Sequence, residues 1–307
     1  MKPEPMFFLR RDRVRIAAQP INWINDDFKD LGADTTLDQC LAEMKEAGYE
    51  GSELGHRFPD TGSAIKKQLA RYDLQLAAGW HSTFLAERPF EEELQRFIAH
   101  SRRLSSAGCD VIIVAECTGA IHSDGKSPLN FASQGRVLDE VGWSKVAQGL
   151  DKLAERAALH GIRVAYHEHM GTVIQDAADV DQLMERTQHV KLLLDTGHLR
   201  FAGANPLGVL KKHAARVAHV HLKNVRLPVV DEARAKRVTV EQAVRAGVFT
   251  GPGDPEGGIE YGEIFEELAK SEYRGWLVVE AEQDPKKANP LAYAKKARAF
   301  LREKVGF

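Results

Sequence analysis

Short β-branched runs recur at near-even intervals along the chain: Val14 to Ile21, Tyr49 to Leu54, Leu74 to Trp80, Asp110 to Glu116, Ile162 to His169, Val190 to Asp195, Arg216 to Leu222 and Gly275 to Glu280. Their starts lie on average about 37 residues apart, room for one strand, one helix and two loops. The segments between them carry helical periodicity. Thr35 to Ala47 places Leu37, Leu41 and Met44 on one stripe with Gly48 as a stop, and Ser144 to His160 does the same with Val146, Leu150, Leu153 and Ala157 before Gly161. Eight β/α units in 307 residues predict an α/β fold, a (β/α)8 TIM barrel in a single domain over 1–307. A doubly wound sheet is disfavoured, because no strand is followed by a GxGxxG or GxxxxGK phosphate loop. Residues 1–13 read as an N-terminal extension. Two stretches are too long for plain barrel connections, 117–142 and 223–261, and both fall on the side where barrels build active sites. The second, with its GPGDPEGG run at 251–258, is expected to be a long loop closing over the site.

Composition excludes several function classes. Forty-two basic against 44 acidic residues give a net charge of -2 and a pI near 6.6, so no field draws the chain to nucleic acid or an anionic membrane. No apolar run approaches the roughly 20 residues of a spanning helix, and the first residues lack a secretory h-region. A cytoplasmic address is expected. Cys40, Cys109 and Cys117 are odd in number and lack CxxC spacing, so they read as buried thiols.

The ends of the runs hold the chemistry. In order they carry Asn22 with Trp23, Glu53, Trp80 with His81, Glu116, His167 with His169, Asp195 with His198, His219 with His221, and Glu280 with Glu282. In a barrel these ends converge on one mouth. Strand alternation puts His167 with His169, His219 with His221, and Glu280 with Glu282 on shared faces, with Glu168 turned the other way. Imidazoles and carboxylates with no thiolate suit a divalent ion in a mixed N/O site: Mn, Co, Mg, Fe or Zn rather than a structural zinc.

The runs INWINDD (21–27), GSELGHRFP (51–59), AGWHST (78–83), YHEHMGTVIQ (166–175), LLLDTGH (192–198), HVHLKN (219–224) and VVEAEQD (278–284) resemble the inosose dehydratase family. That family lies among the xylose-isomerase-like TIM barrels, with ketose 3-epimerases, 3-dehydroshikimate dehydratases and endonuclease IV. The resemblance covers the chain from about residue 14 onward. It implies metal ligands at Asp195, His221 and Glu280, with a fourth at His167, where the superfamily usually has Glu. Three arrangements are then open: His167 binds, Glu168 rotates in, or three residues and water complete the shell.

The implied reaction removes water from a cyclic polyhydroxy ketone, 2-keto-myo-inositol, to give a trihydroxycyclohexane dione in inositol catabolism. A C–H beside a ketone is a weak acid and hydroxide a poor leaving group, so a metal, a base and an acid are all needed. Base candidates are His169, Glu53 and His198; Lys223 is the candidate cationic stabiliser or acid. Trp23 and Trp80 are expected as apolar walls, and Asn22, Asn25, His81, Glu116 and Arg226 as substrate-binding groups. The family also implies Mn or Co as the preferred metal and glutathione as a further cofactor, with a polyol ketone as partner and a homo-oligomer as a compatible state. The competing functions are a metal-dependent sugar isomerase or 3-epimerase, an endonuclease IV-like DNA repair nuclease, and a barrel that only binds a sugar.

Overall fold

The computed structural model describes residues 8–129 and 138–307. Half of the expected N-terminal extension, 1–7, and residues 130–137 of the long 117–142 stretch lie outside the described residues. The strands are β1 Val14–Ala18, β2 Gly51–Ser52, β3 Gln75–Leu76, β4 Gly79–Thr83, β5 Val111–Glu116, β6 Arg163–His167, β7 Lys191–Asp195, β8 Val217–Leu222, β9 Asn224–Val225, β10 Phe249–Thr250 and β11 Gly275–Val279. The helices are α1 Leu37–Ala47, α2 Gly62–Ala70, α3 Phe90–Ser106, α4 Glu140–Ala158, α5 Ala177–Arg186, α6 Thr196–Ala202, α7 Pro206–His213, α8 Leu227–Lys236, α9 Val240–Arg245, α10 Gly262–Lys270 and α11 Pro290–Val305. None of them is long and apolar enough to cross a membrane.

Nine strands pair in parallel in the order β3-β2-β1-β11-β8-β7-β6-β5-β4. Only Ala77 and Ala78 separate β3 from β4, and both continue the ladder: Ala77 N–H donates to Ser52 O at 2.9 Å, and Ala78 O accepts from Leu54 N–H at 3.0 Å. The two ends of the sheet are therefore one bent strand, and the sheet closes into the expected eight-stranded barrel. Strand β5 shows why its sequence is apolar without alternation. Val111 and Ile113 fill the barrel interior with Ala78, Ala165 and Leu193, while Ile112 and Val114 pack outward against the helices. Each such fully buried branched side chain contributes about 1.5–3 kcal/mol.

The helix signals act as the sequence suggests. Thr36 Oγ1 caps α1 by accepting from Gln39 N–H, and Gly48 ends it at φ 92°. Asp139 caps α4. The segment 223–261 is folded rather than an open loop: β9 and β10 form a short antiparallel pair, with α8 and α9 between them. Gly257 allows this segment to lie against β9, because a Cβ there would come within 2.2 Å of the Asn224 amide. All three cysteines are free and buried, as the spacing suggested.

Candidate active site

Four buried side chains from four strand ends meet at the C-terminal mouth. His167 ends β6, Asp195 ends β7, His221 lies in β8 and Glu280 follows β11; one ligand atom from each falls within 4.8 Å of the others. His221 Nδ1 is 2.7 Å from Glu280 Oε2 and 3.4 Å from Asp195 Oδ2, and His167 Nε2 is 3.6 Å from that same oxygen. Among the described residues the atoms turned inward, Asp195 Oδ2, His221 Nδ1 and Glu280 Oε2, are buried and without a well-aligned hydrogen bond. Two carboxylate oxygens and an imidazole nitrogen buried around one point are costly unless positive charge lies among them, either a proton held between His221 and Glu280 or a cation, so the donor set fits a divalent ion.

Each member is held from behind. His167 Nδ1 donates to the Glu168 carbonyl, which leaves its Nε2 lone pair facing Asp195. His221 Nε2 donates to Glu53 Oε1 at 3.0 Å, which frees Nδ1. The same Glu53 oxygen accepts from His219 Nε2 at 2.6 Å. Asp195 uses Oδ1 to cap α6 through His198 N–H at 2.8 Å, and its own N–H donates to Glu168 Oε1 at 3.2 Å. Glu168 thus braces the end of β7 from outside the cluster. Lys223, fully buried, reaches Glu280 Oε1 at 2.7 Å, Glu282 Oε2 at 3.0 Å and His198 Nε2 at 2.9 Å. Its stem runs against Gly197, where a Cβ would come within 2.4 Å of Lys223 Cγ; this is the physical reason for glycine in the DTGH run.

Electrostatics follow from burial and partners. Burial pushes His167 down to about 4 and holds His169 and His198 well below the ordinary imidazole value, so all three are neutral near pH 7. Burial would lower His221 too, but the Glu53 and Glu280 carboxylates outweigh it and raise it well above normal. That surplus of negative charge is what a divalent cation neutralises. Burial would raise Glu280, but Lys223 and His221 hold it well below the usual carboxylate range. Burial lifts Glu282 to about 7 despite Lys223.

A cavity of about 390 Å³ opens onto the cluster. His167, His221 and Glu280 line it, as do His169, Glu53 and Trp80. His169 Nδ1 donates to Met170 O at 2.9 Å, leaving Nε2 as its acceptor atom. Trp80 packs edge-on to His167 and His169, with ring centroids 5.7 and 5.9 Å away. Lys223 and His198 sit one layer back: the His198 ring lies tilted against His169, with centroids 3.9 Å apart, and takes the Lys223 contact.

Six residues expected to bind substrate are placed elsewhere. Asn22 clamps the ends of β1 and β11, donating to Val279 O and accepting from Ala281 N–H. Trp23 is buried with its indole N–H on Glu43. Asn25 accepts from the Asp27 and Phe28 N–H groups. His81 points away from Trp80, against Phe97 and His100 of α3. Glu116 collects Thr83, Leu85, Ala86 and Thr118, and Arg226 bonds Asp254 and the carbonyls of Gly247 and Phe249. None of the six lines the cavity. The cavity is lined instead by residues to which the sequence assigned no substrate role: Asp26 and Asp27 from the INDD run, His122 from the 117–142 stretch, and Glu282, placed at a strand end but given no function. The INDD run carried a signal for the aspartates, and the shared parity of Glu280 and Glu282 carried one for Glu282. His122 had none.

Comparison with known proteins agrees with this fold. Residues 41–304 match the family described as xylose isomerase-like TIM barrel. An inosose dehydratase of Bacillus thuringiensis (strain Al Hakam) is 45% identical over 299 residues, covering 97% of this chain and 99% of its own. Among solved structures, the IolI protein with a bound zinc atom superposes with TM-score 0.68 at 12% identity, covering 95% of this chain and 98% of its own. The probable 3-DHS dehydratase AsbF of Bacillus anthracis gives TM-score 0.66 at 16% identity, with 94% and 98% covered. The distant structures share the fold alone. Identity of 45% across nearly the full length is a closer tie, and by it the chain belongs to the inosose dehydratase family of xylose isomerase-like TIM barrels.

Proposed function

We propose that the protein eliminates water from 2-keto-myo-inositol, and that His169 carries the proton. The observation that supports this most is the composition of the cavity wall. Beside the ligand cluster it offers the His169 imidazole as an acceptor, with Asp26, Asp27, Glu53, Glu280 and Glu282 around it and, among the described residues, no Lys or Arg in the lining. Such a wall suits a neutral polyhydroxy ketone. It disfavours the carboxylate of a dehydroshikimate or the phosphate of a sugar phosphate, which require a cation partner. A volume near 390 Å³ lies in the usual range of roughly 300–1,000 Å³ for small-molecule sites.

His167, Asp195, His221 and Glu280 would hold the divalent ion, with Mn or Co preferred. When bound it supplies Lewis-acid stabilisation of the negative charge that develops on the ketone oxygen as the neighbouring C–H is lost. The protein's own groups do the rest. His169 Nε2 takes the proton from the carbon beside the ketone, and the electron pair becomes the enol double bond. The C–O bond to the hydroxyl one carbon further breaks, and His169 returns its proton to that oxygen, so water leaves and the enol of the dione remains. Glu53, engaged by two histidines, orients His221. Lys223 orients Glu280 and Glu282. Trp80 forms an apolar wall behind His167 and His169. Both 3-epimerisation and elimination begin with loss of the same proton, but an epimerase needs a second acid/base on the opposite face of the same carbon. The replacement of the superfamily's usual Glu by His167, at the end of β6, weakens that arrangement.

The test is turnover of 2-keto-myo-inositol by manganese-loaded protein in deuterated water. Elimination gives a dehydrated product with the ultraviolet band of an enolised dione. An isomer of unchanged oxygen count bearing deuterium, as the sole product, would replace this reading with the epimerase.

A further inference from the structure

Glu282 has a backbone conformation that its residue type disfavours. Among the described residues four non-glycines have positive φ: Asp73, Arg237, Glu272 and Glu282. The first three are exposed, just past the ends of α2, α8 and α10, where a left-handed residue commonly turns the chain out of a helix. Glu282, at φ 37°, is buried, follows β11 and lines the cavity. Left-handed backbone at a buried residue other than glycine is strain of the kind that gathers at functional sites. Glycine would relieve it, so the glutamate is there for its carboxylate.

That carboxylate is half engaged. Oε2 accepts from Lys223 Nζ at 3.0 Å, and the same ammonium holds Glu280 Oε1 at 2.7 Å. Lys223 therefore fixes Glu282 at a set spacing from the ligand cluster. Oε1 has no protein donor among the described residues, although the residue faces the cavity. A carboxylate oxygen in that position accepts from a hydroxyl and repels an anion.

We infer that Glu282 binds one ring hydroxyl of the polyol ketone and thereby sets which hydroxyl pattern the site accepts. The assignment rests on the proposed function. A ketone seated at the cluster would bring a ring carbon past Glu280 toward Glu282, and the Lys223 bridge keeps that acceptor from rotating away.

The test uses full-length, manganese-loaded protein and the variants Glu282→Gly and Glu282→Gln, with circular dichroism verifying the fold. KM, kcat and calorimetric affinity are measured for 2-keto-myo-inositol and for analogues each lacking one hydroxyl. Loss of a hydrogen bond to a charged acceptor raises KM about tenfold or more. For one analogue the rise should be absent, so the preference for the full substrate over that analogue collapses; Glu282→Gln falls between. If Glu282 only holds Lys223, every analogue is affected alike and all preferences persist, which overturns the assignment. Turnover by the natural sequence with unchanged preferences in the variants removes Glu282 alone. Failure of the natural sequence either to bind or to turn over the ketone removes the functional reading, and this assignment with it.

Discussion

The Lys223 ammonium stands 2.7 Å from Oε1 of Glu280, with the lysine side chain fully buried and the glutamate 7% exposed. Breaking a buried pair by removing one partner costs about 3–5 kcal/mol, because the other charge is left uncompensated. Lys223→Met therefore strips Glu280 of the group that orients it and keeps it ionised. Denaturant unfolding should report a loss of that size, and calorimetry should report manganese affinity lower by about 10–100-fold, the usual cost of removing an outer-shell partner. Unchanged manganese affinity would show that Lys223 has no part in preparing the ligand set.

His167 is the departure from the superfamily's ligand pattern, and its geometry makes it testable. With Nδ1 committed to the Glu168 carbonyl, only Nε2 faces the cluster. A metal that binds only the folded state stabilises it by about 2.7 kcal/mol at a hundredfold excess over Kd. Manganese or cobalt should raise the melting temperature of the natural sequence, chelation should reverse this and abolish turnover, and His167→Gln should shrink the shift. A His167→Gln protein that gains as much from manganese as the natural sequence would leave three residues as the ligand set.

The fold and the ligand cluster were legible because both depend on strand periodicity. Alternation along β5 through β8 puts His167, Asp195 and His221 on the inner face with Ala165, Leu193 and Ile113. The same rule, applied strictly, separates Trp80 from His81 and places Glu116 with Ile112 and Val114 on the outer face; grouping neighbours at strand ends lost that distinction. Asn22 and Trp23 escape the rule altogether. Strand β1 stops at Ala18 and a 3-10 turn over Pro20–Asn22 follows, so counting by twos past the strand has no meaning. Asp27 follows a local Asx turn in which Asn25 accepts its N–H, so the INDD run encodes that turn although not its place at the cavity. His122 comes from a loop whose path is set by a distant contact: Ile121 N–H donates to Gly171 O at 2.7 Å, which docks the loop on the turn after His169. No local pattern encodes that contact.

His81, turned away from the cavity, stacks on His100 with centroids 5.7 Å apart, and Nε2 of each is buried with no hydrogen bond among the described residues. Burial holds both near 4, helped by Arg96 near His81, and by His81 and Arg103 near His100, where the Trp80 carbonyl works the other way. The sign follows from linkage. The unfolded imidazoles bind protons below about 6.5 and the folded ones only near 4, so stability is full above 6.5 and falls as pH drops through that window. One such imidazole is worth about 3 kcal/mol over it. His81→Phe should flatten the acid side of the stability profile measured by urea unfolding at stepped pH, with other buried histidines common to both proteins. Parallel profiles would mean that the pair is hydrated and titrates normally.

Arg226 separates a structural clamp from a substrate contact. Its guanidinium reaches Asp254 Oδ2 at 2.6 Å, Gly247 O at 2.8 Å and Phe249 O at 3.2 Å, tying the start of α8 to β10 and to the glycine-rich turn beyond it. The Arg226 side chain is 14% exposed and that of Asp254 is 4% exposed, so the pair is partly screened at most. Arg226→Gln leaves Asp254 buried beside a weaker donor and two carbonyls short of partners, at a cost of about 2–4 kcal/mol. Because the arginine does not line the cavity, KM for the ketone should stay near its original value at temperatures where the variant is folded. The opposite pattern, undiminished unfolding free energy with KM raised about tenfold as for a lost charged hydrogen bond, would place Arg226 in contact with substrate, and would require the segment 223–261 to rearrange when substrate binds.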